Sequence, residues 1–336
     1  MDAENIQYRL FDFDDKVITA ASWNGLLQQS SSDIIFMTWH WQKTWWEIFG
    51  RGKLLLVAAE QNGIPVMIAP LFADGEMIFF VGSGGSDYLD FIGDINNVSA
   101  LEKMLEIAVE QVPGYLGLRF YHVLENSPTA QSLKEIAGRR QWNFYDEGKL
   151  PSPMLDIAQD PDKALEATRK KSLLRHEAWF LKNGGLAVKH YSNSVDILPW
   201  LDEFFEQHMA RWEQTAYPSM FNDEKQRMFF KALSVMADGT GWLRFTVVMW
   251  KEKAIAFHFG FNYRESFFWY KPTFDISLAN HSPGEVLLKH LLMLAIEEKA
   301  HTFDFGLGDE AFKKRFASST RCVYTWGLYP PTTKTN

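Results

Sequence analysis

The order of apolar and polar segments along the chain predicts one structural module in two copies. The later copy has three strands, a long apolar helix and a short strand, at 242–250, 254–262, 266–271, 282–299 and 302–306. The earlier copy has the same order of three strands, a helix and a strand, at 53–60, 64–72, 77–81, 100–111 and 115–122. We therefore expect two related units, and we expect their differences to indicate which one carries a functional site.

Short-range signals support these elements. An Asn-Gly pair at 62–63 is a two-residue hairpin turn signal between strands rich in Leu, Val, Ile and Met. Residues 256–261 are almost continuously apolar, as in a central strand that is buried on both faces. At the start of the long helix, Ser282 suits the N-cap, Pro283 the first helical position and Glu285 the closing position of a capping box.

The region between the copies is predicted to be helical, at 162–183, 195–210 and 223–237. A stretch at 148–153 that contains Gly and Pro marks the boundary between the halves. Strands alternate with helices in each half, so the predicted fold class is α/β, with a mixed sheet flanked by helices. We expect an N-terminal domain at 1–150 and a C-terminal domain at 151–336 with a helical insertion at about 160–237.

Composition narrows the class of protein. Hydrophobic residues make up 46% of the 336 residues, which is enough for two packed cores. The net charge of −8 argues against nonspecific binding of DNA. Cys322 is the single cysteine and matches no disulfide or metal-binding pattern, so we expect no metal. Residues 1–4 lack the apolar core of a signal peptide, and no apolar run reaches the ~20 residues of a membrane span. We expect a cytoplasmic protein without a membrane span.

The start of the helix at 282 is the sharpest candidate site. The N–H groups and the positive dipole end of a helix favour a bound anion, here beside His281, Ser282, Pro283 and Gly284. Glu285 places a negative charge at the same point. An ordinary well-capped helix explains these residues equally well, so both interpretations stay open.

Several side chains are candidates for a general base, which needs a pKa near neutrality. His208 comes first because imidazole titrates in that range. Asp275, Asp304 or Glu310 serves instead if it is desolvated. Asp304 lies amid apolar neighbours, so it needs either a structural partner or a place in the site. His258, in an apolar strand, is expected to be a hydrogen-bonded core histidine.

Other polar and aromatic residues are candidates for acceptor binding. On the helix predicted at 162–183, Lys171, Arg175 and Lys182 share one face, which suits a phosphate-bearing acceptor. A solvated charged face is the alternative. The remaining substrate-binding candidates are Asp87, Tyr88, Asp90, Arg211, Trp212 and Tyr270. The first three follow a glycine-rich segment, and a solvated loop is the alternative for them.

Several short motifs occur in order between Trp39 and Phe316: TWWEIFG at 44–50, DYLD at 87–90, SPMLD at 152–156, KKSLLR at 170–175, HMARW at 208–212, SPG at 282–284, and DFG at 304–306 with Phe312 and Lys313. In this order they resemble the bacterial acetyltransferase family that includes CelD-type polysaccharide-biosynthesis proteins. That family is built from tandem GNAT-like domains and is related to the FemAB peptidoglycan transferases. The resemblance covers most of the chain and implies the same tandem fold.

The resemblance also implies a function. The expected reaction is acyl transfer from acyl-CoA, such as acetyl-CoA, to an amine or hydroxyl of a sugar or cell-envelope polysaccharide precursor. In a GNAT-like domain the CoA pyrophosphate rests at the start of the helix after the fourth strand, which corresponds to 281–284 here. The matching helix start of the first copy, at 93–99, is less suited to phosphate, so that copy is expected to be a structural or acceptor-binding half. The family carries a Lys at the place of Lys313, which joins the catalytic candidates.

Two other functions remain open. A FemAB-like transferase would take an aminoacyl group from charged tRNA, although the acidic charge of the chain weighs against this partner. A degenerate, non-catalytic tandem GNAT fold would bind a glycan or another partner, with some of the 13 Trp residues stacking on sugars.

Overall fold

The computed structural model describes residues 6–213 and 215–331, which divide into two compact units. Unit 1 comprises the chain up to Pro151 together with the segment from Arg321, and unit 2 comprises Ser152–Thr320. Residues 1–4, on which the absence of a signal peptide was predicted, lie outside the described residues. The segment from Arg321, expected in the second domain, groups with unit 1 because its strand pairs with a strand of that unit.

Unit 1 is a mixed sheet with helices. Its strands are β1 (Ile6–Phe11), β2 (Lys53–Gln61), β3 (Ile64–Asp74), β4 (Met77–Phe80), β5 (Ile92–Gly93), β6 (Gly117–Leu124), part of β7 (Asn143–Asp156) and most of β13 (Ser319–Tyr329). Its helices are α1 (Ala20–Leu27), α2 (Trp39–Phe49), α3 (Val98–Glu110) and α4 (Thr129–Arg140). The strand order is β1-β2-β3-β4-β6-β13-β7, and β5 pairs with β3. β4 and β6 run parallel, whereas β2, β3 and β4 are antiparallel neighbours.

Unit 2 has a second mixed sheet. Its further strands are β8 (Ala187–Tyr191), β9 (Leu243–Trp250), β10 (Lys253–Tyr263), β11 (Ser266–Phe274) and β12 (Thr302–Asp304). Its helices are α5 (Pro161–Thr168), α6 (Lys171–Lys182), α7 (Ser194–Trp212), α8 (Glu224–Met236), α9 (Pro283–Glu297) and α10 (Ala311–Phe316). The strand order is β7-β12-β11-β10-β9-β8. β11 and β12 run parallel, and the other pairs are antiparallel.

The predicted module is present in both units. Each has three antiparallel strands, then a helix, then a strand parallel to the third. The hairpin turns form as two-residue turns with positive φ, at Asn62–Gly63 in unit 1 and at Lys251–Glu252 in unit 2. The core of unit 2 beside α9 combines apolar residues of that helix with α5, α6 and the sheet.

One predicted helix is wrong. Residues 162–183 form two helices rather than one, because Arg169 and Lys170 leave the helical conformation, with ψ of 9° and 135°. The stretch at 148–153, predicted as the boundary between the halves, contains the boundary between the units at Pro151 and Ser152. It lies inside β7, where Pro151 and Pro153 are accommodated in an extended backbone.

Candidate functional site

The strands β11 and β12 diverge after a short parallel contact. They pair at Ser266–Thr302, Phe267–Phe303 and Phe268–Asp304, where β12 ends, although β11 continues to Phe274. Beyond Asp304 the chain bonds to β7, since the Phe305 N–H donates to the Pro153 carbonyl at 3.1 Å. The second half of β11 therefore faces an opening in the sheet on its β12 side.

A β-bulge lies at the same point of β11. Between two register pairs β10 has one residue, Gly260, where β11 has two, Trp269 and Tyr270. The Tyr270 N–H donates to Nε2 of His258 at 3.2 Å, and burial lowers the pKa of this histidine to about 3, which keeps the ring neutral. A Cβ at Gly260 would lie 2.3 Å from both the His258 ring and the Phe268 carbonyl oxygen, so only glycine fits there. The expected core histidine thus shapes the strand at the opening.

The corresponding opening of unit 1 is filled by its own chain. The parallel pairs between β4 and β6 end at Phe79–Arg119. The following segment, 82–91, then returns to β6, where the Leu89 N–H donates to the His122 carbonyl at 3.2 Å. His122 Nδ1 lies 2.9 Å from the Ser86 carbonyl oxygen in the same segment. The two copies therefore differ at the end of their parallel strands.

Asp87, Tyr88 and Asp90, predicted to bind substrate, belong to this filling segment. Tyr88 and Asp90 are buried inside unit 1, and Asp87 is half-buried. The Asp90 carboxylate accepts hydrogen bonds from the hydroxyls of Ser127 and Thr129. Burial raises the pKa of Asp90 to about 6, although these hydrogen bonds act in the opposite direction. Tyr88 and Asp90 therefore anchor the segment in the unit 1 core.

The predicted capping box at the start of α9 is wrong. Ser282 has φ 52° and ψ 59°, and its side chain makes no capping hydrogen bond, because the left-handed conformation follows a 3-10 turn at Ile276–His281. The Glu285 carboxylate instead bonds to Arg315 of α10 at 2.5 Å and lies 3.7 Å from His176 Nε2 of α6. The helix start thus carries an internal carboxylate with a cationic partner.

The residues around this helix start come from α6, α10 and the 3-10 turn. The His281 ring stacks on Trp179, with 3.5 Å between ring centroids. Lys170 donates to the Arg315 carbonyl oxygen at 2.8 Å, which ties α10 to the start of α6. Arg315 and His176 were not among the predicted site residues, although Arg315 ends a visible run of three cations in the sequence. His281, Ser282, Pro283 and Gly284 thus lie beside the ion pair of Glu285 and Arg315.

For two of the base candidates, the environment shifts the pKa away from neutrality. His208 is buried on α7, with Nδ1 2.8 Å from the Ser219 hydroxyl, and burial lowers its pKa to about 3. Burial opposes ionisation of Asp275, but hydrogen bonds from Lys253 and Ser277 outweigh it, so the pKa of Asp275 is lowered. Asp275 also caps the 3-10 turn by accepting from the Ser277 N–H at 2.9 Å.

Asp304 and Lys313 lie at and after the end of β12. Asp304 is fully buried at the divergence point, and its Oδ1 accepts from the Gly306 N–H at 2.8 Å. The Lys313 ammonium donates to the Leu307 carbonyl at 2.5 Å and pairs with Glu310 at 2.9 Å. Lys313 therefore holds the loop that follows β12, while Asp304 is the candidate acid or base at the opening.

Arg211 and Trp212 lie together at the end of α7 beside β11, whereas the Tyr270 ring packs on Phe230 of α8. The Arg211 guanidinium donates to the Pro272 carbonyl at 3.2 Å and lies 4.3 Å from the Phe274 ring centroid. Burial lowers the pKa of Arg211 to about 10, so it stays charged. Trp212 stacks near His208 at 5.9 Å, and Tyr270 is buried in β11. Lys171 and Arg175 lie apart from this group on the exposed side of α6.

Within residues 6–213 and 215–331, no group of three or more His, Cys, Asp and Glu side chains is arranged to hold a metal ion. In the same part of the chain, no helix combines the length and apolar character needed to cross a bilayer.

Comparisons with known proteins agree with the fold. Residues 167–314 match the family model of an acetyltransferase (GNAT) domain. The crystal structure of FemX superposes with a TM-score of 0.68 at 13% identity, covering 96% of this chain and 97% of FemX. L-PGS from Bacillus licheniformis superposes with a TM-score of 0.54 at 13% identity, covering 88% of this chain and 92% of the other.

A third solved structure is the C-terminal domain, DUF2156, of an Agrobacterium fabrum protein proposed to be a lysylphosphatidylglycerol synthetase. Its TM-score is 0.58 at 13% identity, covering 92% of this chain and 90% of that one. No curated protein matches the sequence. The domain match and the superposition on FemX agree with the resemblance drawn from the motifs, and they show a FemAB-like tandem GNAT fold of the α/β class.

Proposed function

We propose that unit 2 is the catalytic half of a GNAT-type acyltransferase that transfers an acyl group to an amine or hydroxyl of a sugar or cell-envelope precursor. The observation that carries this proposal is the divergence of β11 from β12, opposite a bulge, in unit 2. The matching gap of unit 1 is occupied by residues 82–91, which supports a structural or acceptor-binding role for that unit.

The chemistry follows from the backbone at the opening. Beyond Phe268 the Tyr270 N–H already donates to His258, and Pro272 has no N–H. An N–H of another residue in this half of β11 would polarise the acyl carbonyl, as donors aimed at a developing oxyanion do in acyl transfer. The acceptor nitrogen or oxygen attacks the carbonyl carbon, and the bond from that carbon to the sulfur or oxygen of the donor breaks. Asp304, at the end of β12, would take the proton of the acceptor. Transfer is then direct, without a covalent enzyme intermediate.

Acyl-CoA is the donor favoured by the family resemblance, and Glu285 is the residue that opposes it. Arg315, beside the start of α9, suits phosphate, but the Glu285 carboxylate already neutralises it. As it stands, the helix start does not fit a diphosphate, so no step is assigned to that part of the donor.

The Glu285–Arg315 pair therefore favours a second candidate, an aminoacyl ester such as charged tRNA, whose phosphates need not reach α9. Similarity of fold to FemX supports the same candidate.

Acyl transfer by wild type and Asp304→Asn tests the proposal. Radiolabelled acetyl-CoA or charged tRNA is incubated with amino sugars and nucleotide-linked sugars, and labelled product is counted. We expect transfer by wild type and a loss of about 10²–10⁴-fold in kcat/KM in the variant. The amide keeps an acceptor for the Gly306 N–H, so the thermal midpoint should stay near that of wild type. Full activity of Asp304→Asn would show that Asp304 is not the base. Labelled product from charged tRNA but not from acetyl-CoA would identify the aminoacyl ester as the donor.

A further inference from the structure

Helix α6 is buried on one side and apolar on the other. On its inner side, Leu173 and Phe180 are completely buried in the cluster that includes the leucines of α9. On its outer side, Leu174 is 43% and Leu181 54% exposed. These two leucines are seven positions apart, so they lie on one strip of the helix. Ala178 is exposed between them. The outer strip is therefore an apolar surface that no part of the described chain covers.

Cations flank this strip. Lys171, Arg175 and Lys182 are exposed, and at 100° per residue they follow one another along the side next to the leucine strip. The one acidic residue of α6, Glu177, points away from this face, because it pairs with Lys289 and with His290 of α9, the latter at 2.9 Å. The outward face of α6 thus carries positive charge in a chain whose net charge is −8.

The chain just before α6 also carries an exposed cation and an exposed leucine. Arg169 is exposed at the break between α5 and α6, and Leu165 of α5 is 39% exposed. α5 is mixed in charge, since Asp162 and Glu166 are exposed beside Lys163. The cationic part is therefore confined to 169–182.

We propose that the outward face of α6 docks unit 2 on an anionic lipid surface. Exposed leucines bordered by Lys and Arg are the composition of helices that lie in the plane of a bilayer interface, with the leucines at the boundary of the acyl chains. The long Lys and Arg side chains reach the lipid phosphates while their methylene stems cover apolar surface. Negative lipid charge complements this face, whereas the rest of the acidic chain is repelled, which sets the orientation.

The proposal goes beyond the proposed acyl transfer and does not depend on it. Docking would also bring the candidate site close to the lipid, because His176 of α6 lies 3.7 Å from Glu285 at the start of α9. A bilayer against the outer face of α6 would lie one helix diameter, ~10 Å, from Glu285.

Vesicle co-sedimentation of the full chain tests the proposal. Sucrose-loaded vesicles of phosphatidylcholine alone are compared with vesicles containing 30% phosphatidylglycerol. We expect sedimentation with the anionic vesicles, and weaker binding as salt is raised from 0.1 to 0.5 M. Leu174→Gln with Leu181→Gln should lower the partition coefficient at least about tenfold. Replacing Lys171, Arg175 and Lys182 by Gln should lower it about fivefold for each cation and remove the preference for phosphatidylglycerol.

The matched control changes two exposed apolar residues elsewhere, Ile64 and Leu116, to Gln. They are 67% and 57% exposed on unit 1, so their loss should leave vesicle binding unchanged. Circular dichroism and the thermal midpoint show whether each variant is folded, and the outer side chains of α6 should not alter either. The proposal is overturned if wild type stays in the supernatant at 0.1 M salt. It is equally overturned if folded α6 variants bind like the control, or if both vesicle types bind equally.

Discussion

Single buried polar side chains fix the conformation of irregular segments of the chain. Asp90 holds the filling segment of unit 1 through the hydroxyls of Ser127 and Thr129. His258 occupies the bulge of β10 and β11 in the same manner, through the Tyr270 N–H. A charged residue in a polar, Gly-rich segment is read as exposed, and nothing local in the sequence places Thr129 beside Asp90. Their burial therefore required the structure.

The titration of Asp90 should make stability fall as pH rises. Its folded-state pKa of about 6 exceeds the ordinary value of 3.8, so the folded protein binds the proton more tightly than the unfolded one. This contribution is complete below pH 3.8 and is lost as pH rises through about 6, by at most about 3 kcal/mol. Urea unfolding followed by Trp fluorescence at pH 4.5 and 7 measures it.

Asp90→Asn isolates this effect from other titrating groups. The variant cannot ionise at position 90, so its unfolding free energy should not show this loss. Between pH 4.5 and 7, the wild type should therefore lose stability relative to the variant. A difference that does not change with pH would contradict the assigned burial of the carboxyl group.

At the scale of elements, hairpins and amphipathic helices were predictable, and long-range pairing was not. The turn at Asn62–Gly63 was predicted from its dipeptide. The helices α7, α8 and α9 were predicted from the helical spacing of their apolar residues. Both signals are local in the sequence. The break at Arg169–Lys170 has neither Gly nor Pro to announce it. At α9, Ser282 and Glu285 match a capping box in sequence, yet Arg315 takes the carboxylate, and a distant helix cannot be inferred from four residues.

The start of α9 predicts how the protein responds to CoA. Removing the Glu285 charge in Glu285→Gln frees Arg315 and removes repulsion of phosphate, so acetyl-CoA should bind about tenfold more tightly than to wild type. Loss of a negative charge from the first turn of the helix should also cost about 0.3–1 kcal/mol of stability. Isothermal titration calorimetry measures the first effect and thermal unfolding the second.

Glu297→Gln is the matched control for this experiment, because Glu297 is exposed at the opposite end of the same helix. It should bind acetyl-CoA as wild type does. If none of the three proteins gives heat with acetyl-CoA, the acyl-CoA donor is excluded and the aminoacyl ester remains.

At the scale of the whole molecule, β13 determines to which unit the last part of the chain belongs. It pairs with β6, so residues from Arg321 belong with unit 1 although they follow all of unit 2 in sequence. The two-copy pattern was visible in the sequence because each copy repeats a contiguous order of elements. The return of the chain to unit 1 was not, since the partner of β13 is about 200 residues away and no local pattern identifies it.

Separate expression of the units tests this arrangement. Residues 152–320 contain the helices of unit 2, its strands β8–β12 and the part of β7 that pairs with β12, so they should fold alone and unfold cooperatively. Residues 1–151 lack β13 and expose the edge of β6, so they should be aggregated or unfolded by circular dichroism and size-exclusion chromatography. Joining 321–331 to 1–151 through a Gly-Ser linker should restore folding. A cooperatively folded 1–151 fragment would show that β13 is dispensable.

The position of β13 also sets an order of events during synthesis. Every segment of unit 2 has left the ribosome once residue 320 has emerged, whereas unit 1 still lacks the strand that sits between β6 and β7. The half that is translated first is therefore the half that is completed last, and its exposed β6 edge must wait through the synthesis of about 170 residues. A nascent chain interrupted in that interval carries an incomplete first unit, which chaperones and proteases can distinguish from the finished protein.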